Sequence, residues 1–274
     1  MFASAIIVFR EVLEAALLIG IMAAATRGIP GRSRWLAGGI VAGLAGAGLL
    51  AAFAGRLAEL ASGMGQELFN AAVLSVAVTM LAWHNIWMAS HGAAMAADAR
   101  RVGNSVKGGS QELSILLVVI GLAVLREGAE TALFLYGIAT SGGDSSAALF
   151  SGGVLGVVSG VTVGWLLYAG LLRIPLRWFF GATSLLVLLL AAGMASQIAH
   201  FLVQADFLPT LAEPLWDSSA LLPQSSVLGT LLHSLIGYDD QPAGIQAVFY
   251  LTAFAVIYGA MRRAKRTAPA LRTA

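Results

Sequence analysis

Apolar stretches close to the ~20 residues that a helix needs to cross the hydrocarbon core of a bilayer recur along the chain. They lie near residues 3 to 25, 35 to 55, 68 to 90, 113 to 139, 147 to 171, 178 to 199 and 243 to 261, with polar positions gathered between them. The pattern predicts an all-α, polytopic membrane protein with seven transmembrane helices in one domain over residues 1–274. Basic residues mark alternate connections: Arg27, Arg32 and Arg34 after the first span, Arg100, Arg101 and Lys107 after the third, Arg173 and Arg177 after the fifth, and Arg262 through Arg272 after the seventh. Only Arg56 falls on the opposite side. Lys and Arg accumulate on the cytoplasmic side, so the amino terminus is expected outside and the carboxyl terminus inside. Met1 to Gly20 carries Arg10, Glu11 and Glu14 within its apolar part, unlike the uninterrupted core of a signal peptide, so it reads as a retained first helix.

The spans repeat. Arg10, Glu11 and Glu14 correspond to Arg126, Glu127 and Glu130; "LAGGIVAGLAG" in span two resembles "FSGGVLGVVSG" in span five; Phe69 of span three lines up with Phe180 of span six. Repeat one covers about 3–90 and repeat two about 113–199, followed by an outer loop at 200–242 and the seventh span near 243–261. Three spans per copy is odd, so the second copy enters the membrane upside down, the inverted repeat of many secondary transporters. Gly152, Gly156, Gly160 and Gly164 fall at four-residue intervals on one face of span five, with Gly39 and Gly43 similarly placed in span two. Small residues at that spacing let helix backbones approach closely.

Composition sharpens this picture. The chain is 58% hydrophobic and 11% charged, and it has no cysteine. Disulfides, thiolate metal sites and covalent haem attachment are thereby excluded, and any metal must be held by oxygen, imidazole or thioether donors. At about 100° per residue, Glu14 lies about 40° from Arg10 and about 60° from Glu11, so the three share a helix face; Glu130 stands likewise to Arg126 and Glu127. A charged group near the middle of a span costs at least about 2.5 to 3.5 kcal/mol. Six of them need a reason. Inverted symmetry would bring four carboxylates and two guanidiniums together at the repeat interface with a surplus of negative charge, suited to a hard or borderline cation such as iron, manganese, magnesium or calcium. Glu11, Glu14, Glu127 and Glu130 are the candidate ligands. Arg10 and Arg126 would hold the carboxylates by bidentate contact.

These residues resemble the oxidase-dependent iron permease family, whose hallmark is Arg-Glu-x-x-Glu in the first and fourth spans, here "REVLE" from Arg10 and "REGAE" from Arg126. The resemblance extends through "AWHNIWM" in span three and "LWDSSALLPQSSVLGTLLHSLIGYDDQP" before span seven. It implies iron uptake across a cytoplasmic or plasma membrane, with the four glutamates as iron ligands, iron as transported substrate and no bound cofactor. Relatives often work with a separate ferroxidase or an extracytoplasmic iron-binding protein, and one branch is associated with lead. Val12 stands where many members have glycine.

Three other features stand out. Met80, His84, Met88, His91 and Met95 lie within about 80° of one another on span three, a candidate soft-donor path, although methionine is also a common core filler; His91 is expected near a helix end. The segment from His200 to Pro242 carries Asp206, Glu213, Asp217, Asp239 and Asp240 without Lys or Arg, and its Leu228, Leu231, Leu232, Leu235 and Ile236 predict a short interfacial helix. No phosphate-binding G-x-x-x-x-G-K-[ST] loop occurs, and the basic tail reads as an anchor near anionic lipid with no nucleic-acid role. An intramembrane ferroxidase is disfavoured because no Glu-x-x-His motif accompanies the glutamates. A permease for Mn(II) or Pb(II), or a proton-coupled carrier using the glutamates as a relay, completes the alternatives.

Overall fold

The computed structural model describes residues 1–61, 65–140, 145–170 and 176–267. Arg173 and Arg272 of the topology argument lie outside the described residues. Among the described residues eight helices are found: α1 (Phe2–Ala25), α2 (Arg32–Ala61), α3 (Gln66–Lys107), α4 (Ser114–Thr140), α5 (Ser146–Tyr168), α6 (Leu176–Gln204), α7 (Val227–Ile236) and α8 (Gly244–Thr267). No strand occurs among the described residues.

Stretches of α2, α3, α5, α6 and α8 are long and apolar enough to cross a membrane: Arg32–Phe53, Gln66–His91, Ser146–Tyr168, Gly181–Gln204 and Gly244–Arg266. The two other long helices, α1 of 24 residues and α4 of 27, carry the Arg-Glu-x-x-Glu triplets. At ten residues, α7 is about half the length needed to cross. The outward faces of α2 and α5 present Leu49, Phe53, Phe150 and Val158 at 59% exposure or more, a continuous apolar surface unlike that of a monomeric soluble domain.

The helices pair crosswise. α1 lies along α5, α2 lies along α4, α1 and α4 touch each other, and α3 packs against α6. Glycine makes the first two pairings possible. The buried residues of α5 are Gly152, Gly156, Gly160 and Gly164, and a Cβ at Gly156 would stand 2.7 Å from Ala5 O and from Val8 Cβ. On the other pair a Cβ at Gly43 would stand 2.6 Å from Val124 Cβ and 2.7 Å from Gly121 O. The expected glycine faces are therefore contact faces, and backbone touches backbone along them.

The third helix departs from expectation. It was expected to end near residue 90 but runs 42 residues to Lys107, about 63 Å at 1.5 Å per residue. Its alanine-rich continuation contains no proline and favours helix, and Ala99 and Val106 bury against Met22, Leu116 and Ile120. Arg100, Arg101 and Lys107 thus sit on a helix rather than in a loop, and His91 lies far from either helix end. The connection after α6 is a folded cap in which Leu215 N donates to Pro242 O at 2.8 Å, Ser218 N to Asp240 O at 2.9 Å and Gly244 N to Ala212 O at 2.7 Å. The expected short helix is present in it as α7. Ser226 Oγ caps it by accepting from Gly229 N at 2.9 Å, and Gly237 ends it in the left-handed region at φ 71°.

Gly156→Val is expected to destabilise the α1–α5 contact by about 1–3 kcal/mol through overpacking, lowering the thermal unfolding midpoint in detergent. Gly153→Val, where a Cβ meets nothing within 4 Å, is expected to leave it unchanged; equal effects of the two would refute the contact.

Candidate metal centre

Three helices supply the charged cluster. α1 carries Arg10, Glu11 and Glu14 on one face, α4 carries Arg126, Glu127 and Glu130, and α3 inserts His84. One ligand atom each from Glu11, His84, Glu127 and Glu130 lie within 4.8 Å of one another. Among the described residues no other group of three or more His, Asp or Glu gathers this way. Glu14 stands beside the group: Arg10 Nε is 3.1 Å from its Oε1, and His84 Nε2 is 3.5 Å from its Oε2.

The two motifs have the same sequence pattern but different surroundings. Arg10 is 1% exposed, and its Nε and NH1 find no hydrogen-bonding geometry despite the nearby carboxylates. Arg126 is 36% exposed. Its Nε donates to Glu130 Oε1 at 2.9 Å, and its guanidinium lies 4.5 Å from the centre of the Trp87 ring, within cation–π range. Glu11 and Glu14 have both carboxylate oxygens buried without a hydrogen bond, as do Oε2 of Glu127 and Oε2 of Glu130. Buried polar atoms are ordinarily paired. So many unpaired carboxylate oxygens in one place, beside unpaired nitrogens of Arg10 and His84, make this cluster the candidate metal centre.

His84, which the sequence places on a candidate soft-donor path, stands inside the carboxylate cluster. It is 2% exposed, its Nδ1 lies against Glu130 Oε2, and its Nε2 is 3.8 Å from Glu11 Oε2. The neighbouring Asn85 donates through Nδ2 to Ser184 O on α6 at 2.9 Å, holding this part of α3 in register. The available signal was the one that exposed the glutamates, a polar side chain in the middle of an apolar span. Two other members of the candidate soft-donor path have different surroundings. Met80 packs against the main apolar core, and His91 is exposed, stacked on Trp87 at 5.1 Å between ring centres and within 2.8 Å of Ser90 Oγ.

One cavity reaches the centre, and a larger one lies apart from it. The first, of about 520 Å³, has Glu11 and Glu127 in its wall and runs past Ala15, Ile19 and Ala23 to Tyr168, whose hydroxyl accepts from Arg27 NH2 at 3.3 Å. The other, of about 730 Å³, is lined by Gln197, His200, Glu213, His233, Asp239 and Gln246 under the folded cap.

The profile of the iron permease FTR1 family matches residues 1–264. The chain is 30% identical over 286 residues to a protein named ferrous iron permease EfeU in Shigella sonnei (strain Ss046), covering 98% of this chain and 99% of that one. It is 32% identical over 259 residues to the ferrous iron permease EfeU of Escherichia coli O6:H1 (strain CFT073), covering 89% of this chain and 88% of that one. The Yersinia pestis protein of the same name is 29% identical over 255 residues, covering 91% and 89%. No solved structure matches.

Removing one member of a buried ion cluster leaves its partners uncompensated, at about 3–5 kcal/mol. Arg10→Met is therefore expected to cut the folded fraction surviving a thermal challenge in detergent, read by size exclusion. Arg126→Met, at a partly exposed site, is expected to lose much less; the reverse order would contradict the burial difference.

Proposed function

The chain belongs to the iron permease FTR1 family and is a multi-pass membrane protein, and from that premise we propose that it imports iron across the cytoplasmic membrane through the buried carboxylate centre. Glu11, Glu14, Glu127 and Glu130 coordinate the ion in transit, and Arg10 and Arg126 hold the carboxylates and limit their repulsion when no ion is present. The observation that carries this reading is the convergence of buried, unsatisfied carboxylate oxygens from two separate motifs. Four carboxylates and two guanidiniums leave two negative charges, which a divalent ion neutralises, so Fe(II) is the favoured form. The three relatives named above are all called ferrous iron permeases.

In this reading α1 and α4 cross the membrane with the five apolar helices, giving seven spans. Their charges are tolerated because they face each other and not lipid. The crosswise pairing of α1 with α5 and of α2 with α4 supports a two-fold repeat, since exchanging the two copies turns one pair into the other, and three spans per copy make that repeat inverted. The amino terminus is outside and the carboxyl terminus inside, which puts the folded cap at 205–243 on the outer face. There its acidic residues are available to a ferroxidase or an extracytoplasmic iron-binding protein.

Glu14→Gln and Glu130→Gln are each expected to abolish iron accumulation in cells while membrane protein levels stay near normal; retained uptake in both would refute the ligand assignment. Arg126→Lys keeps the charge but loses the planar fork, and is expected to slow uptake measurably. Liposomes holding the purified protein, offered Fe(II), Fe(III), Mn(II) and Pb(II) separately, should accumulate Fe(II) fastest. Faster entry of Mn(II) or Pb(II) would reassign the substrate.

A further inference from the structure

The repeat explains the carboxylates but not the imidazole. Each copy contributes one arginine and two glutamates, so the symmetric elements alone would build a site of oxygen donors. Neither charged triplet contains an imidazole, and α3 brings one to them from outside the repeated motif. His84 is an addition to the site that the doubled triplet does not account for.

The surroundings of its ring point the same way. A buried histidine with a packing role normally ties one nitrogen to a backbone carbonyl or a hydroxyl. Here Nε2 faces Glu11 Oε2 at 3.8 Å and Glu14 Oε2 at 3.5 Å, and Nδ1 faces Glu130 Oε2. Whichever nitrogen takes an ion, the other still has a carboxylate to receive its N–H, and that is how metal-binding histidines are usually oriented. Asn85, fixed to Ser184 O, keeps the ring from withdrawing along α3. The side chain is held where a ligand would be held.

We infer that His84 is a nitrogen ligand of the ion in transit and the residue that sets selectivity for ferrous iron over the harder Mn(II), Mg(II) and Ca(II). The inference rests on the carboxylate site proposed above. Its chemistry follows from donor softness: carboxylate and water suit magnesium, calcium and manganese, whereas imidazole suits iron and the later divalent metals. A ring of glutamates alone would bind them all with little preference. One imidazole lets the same pocket discriminate.

The test uses the full-length protein in lipid nanodiscs, loaded anaerobically with ferrous iron and treated with nitric oxide so that the iron becomes a spin probe for pulsed electron paramagnetic resonance. The wild type should show a directly bound histidine nitrogen, identified by replacement with ¹⁵N-histidine. His84→Gln should still bind iron but lose that nitrogen. The chain has four histidines, so a triple variant, His91→Gln, His200→Gln and His233→Gln, retains His84 alone and should keep the nitrogen signal even if His84→Gln fails to fold. In liposomes, His84→Glu should lower the Fe(II)-over-Mn(II) uptake ratio by about tenfold or more, at least the effect of outer-sphere changes. Iron bound without a histidine nitrogen, or a nitrogen signal that survives His84→Gln or disappears in the triple variant, would overturn the assignment while leaving the carboxylate site standing. Wild-type protein that binds no ferrous iron, or Glu127→Gln that binds it unimpaired, would overturn the carboxylate site itself.

Discussion

Everything else in this structure is arranged around six charged side chains that must avoid lipid and can do so only by facing one another. An isolated charge at mid-membrane costs several kcal/mol, and neither α1 nor α4 can neutralise itself, since each carries two carboxylates and one guanidinium. The surplus acid on each helix is tolerable only if it is protonated or stands beside an opposing positive charge or a bound cation. This constraint brings α1 and α4 together at the centre, with α3 closing one side through His84. The same α1 and α4 are then gripped from outside by α5 and α2. Their glycine faces bring backbone within van der Waals reach, so the outer helices supply tight packing where apolar burial provides little driving force within a bilayer.

Much of this was legible in the sequence because it depends on local spacing. A period of four in Gly152, Gly156, Gly160 and Gly164 specifies a contact face whatever it contacts, and the pattern Arg-Glu-x-x-Glu specifies three charges on one face of a helix. Short-range capping is legible for the same reason, since Ser226 and Gly237 bracket α7. What escaped depended on tertiary partners. Nothing local ends α3 at residue 90 or carries it on to Lys107; its extension is fixed by Ala99 and Val106 finding an apolar seat on α1 and α4. Likewise, helical geometry placed Met80, His84, Met88 and His91 on a common stripe, but could not say that His84 faces the carboxylates while Met80 packs into the apolar core and His91 is exposed. That difference is set by what α1, α4 and α6 bring against α3.

The difference between the two motifs gives the final step. A symmetric pair of triplets would hold a cation equally from both sides and give it no preferred exit. Here Arg10 is sealed at 1% exposure and paired with carboxylates alone, whereas Arg126 is 36% exposed and shared between Glu130 and the Trp87 ring. The cavity that reaches Glu11 and Glu127 follows α1 towards Tyr168, and the second cavity lies under the folded cap. The cluster therefore draws its carboxylates from both triplets, while the cavity that reaches it runs along α1 past Glu11 and Glu127. In the proposed carrier that inequality would bias an otherwise two-fold site toward one of its arrangements.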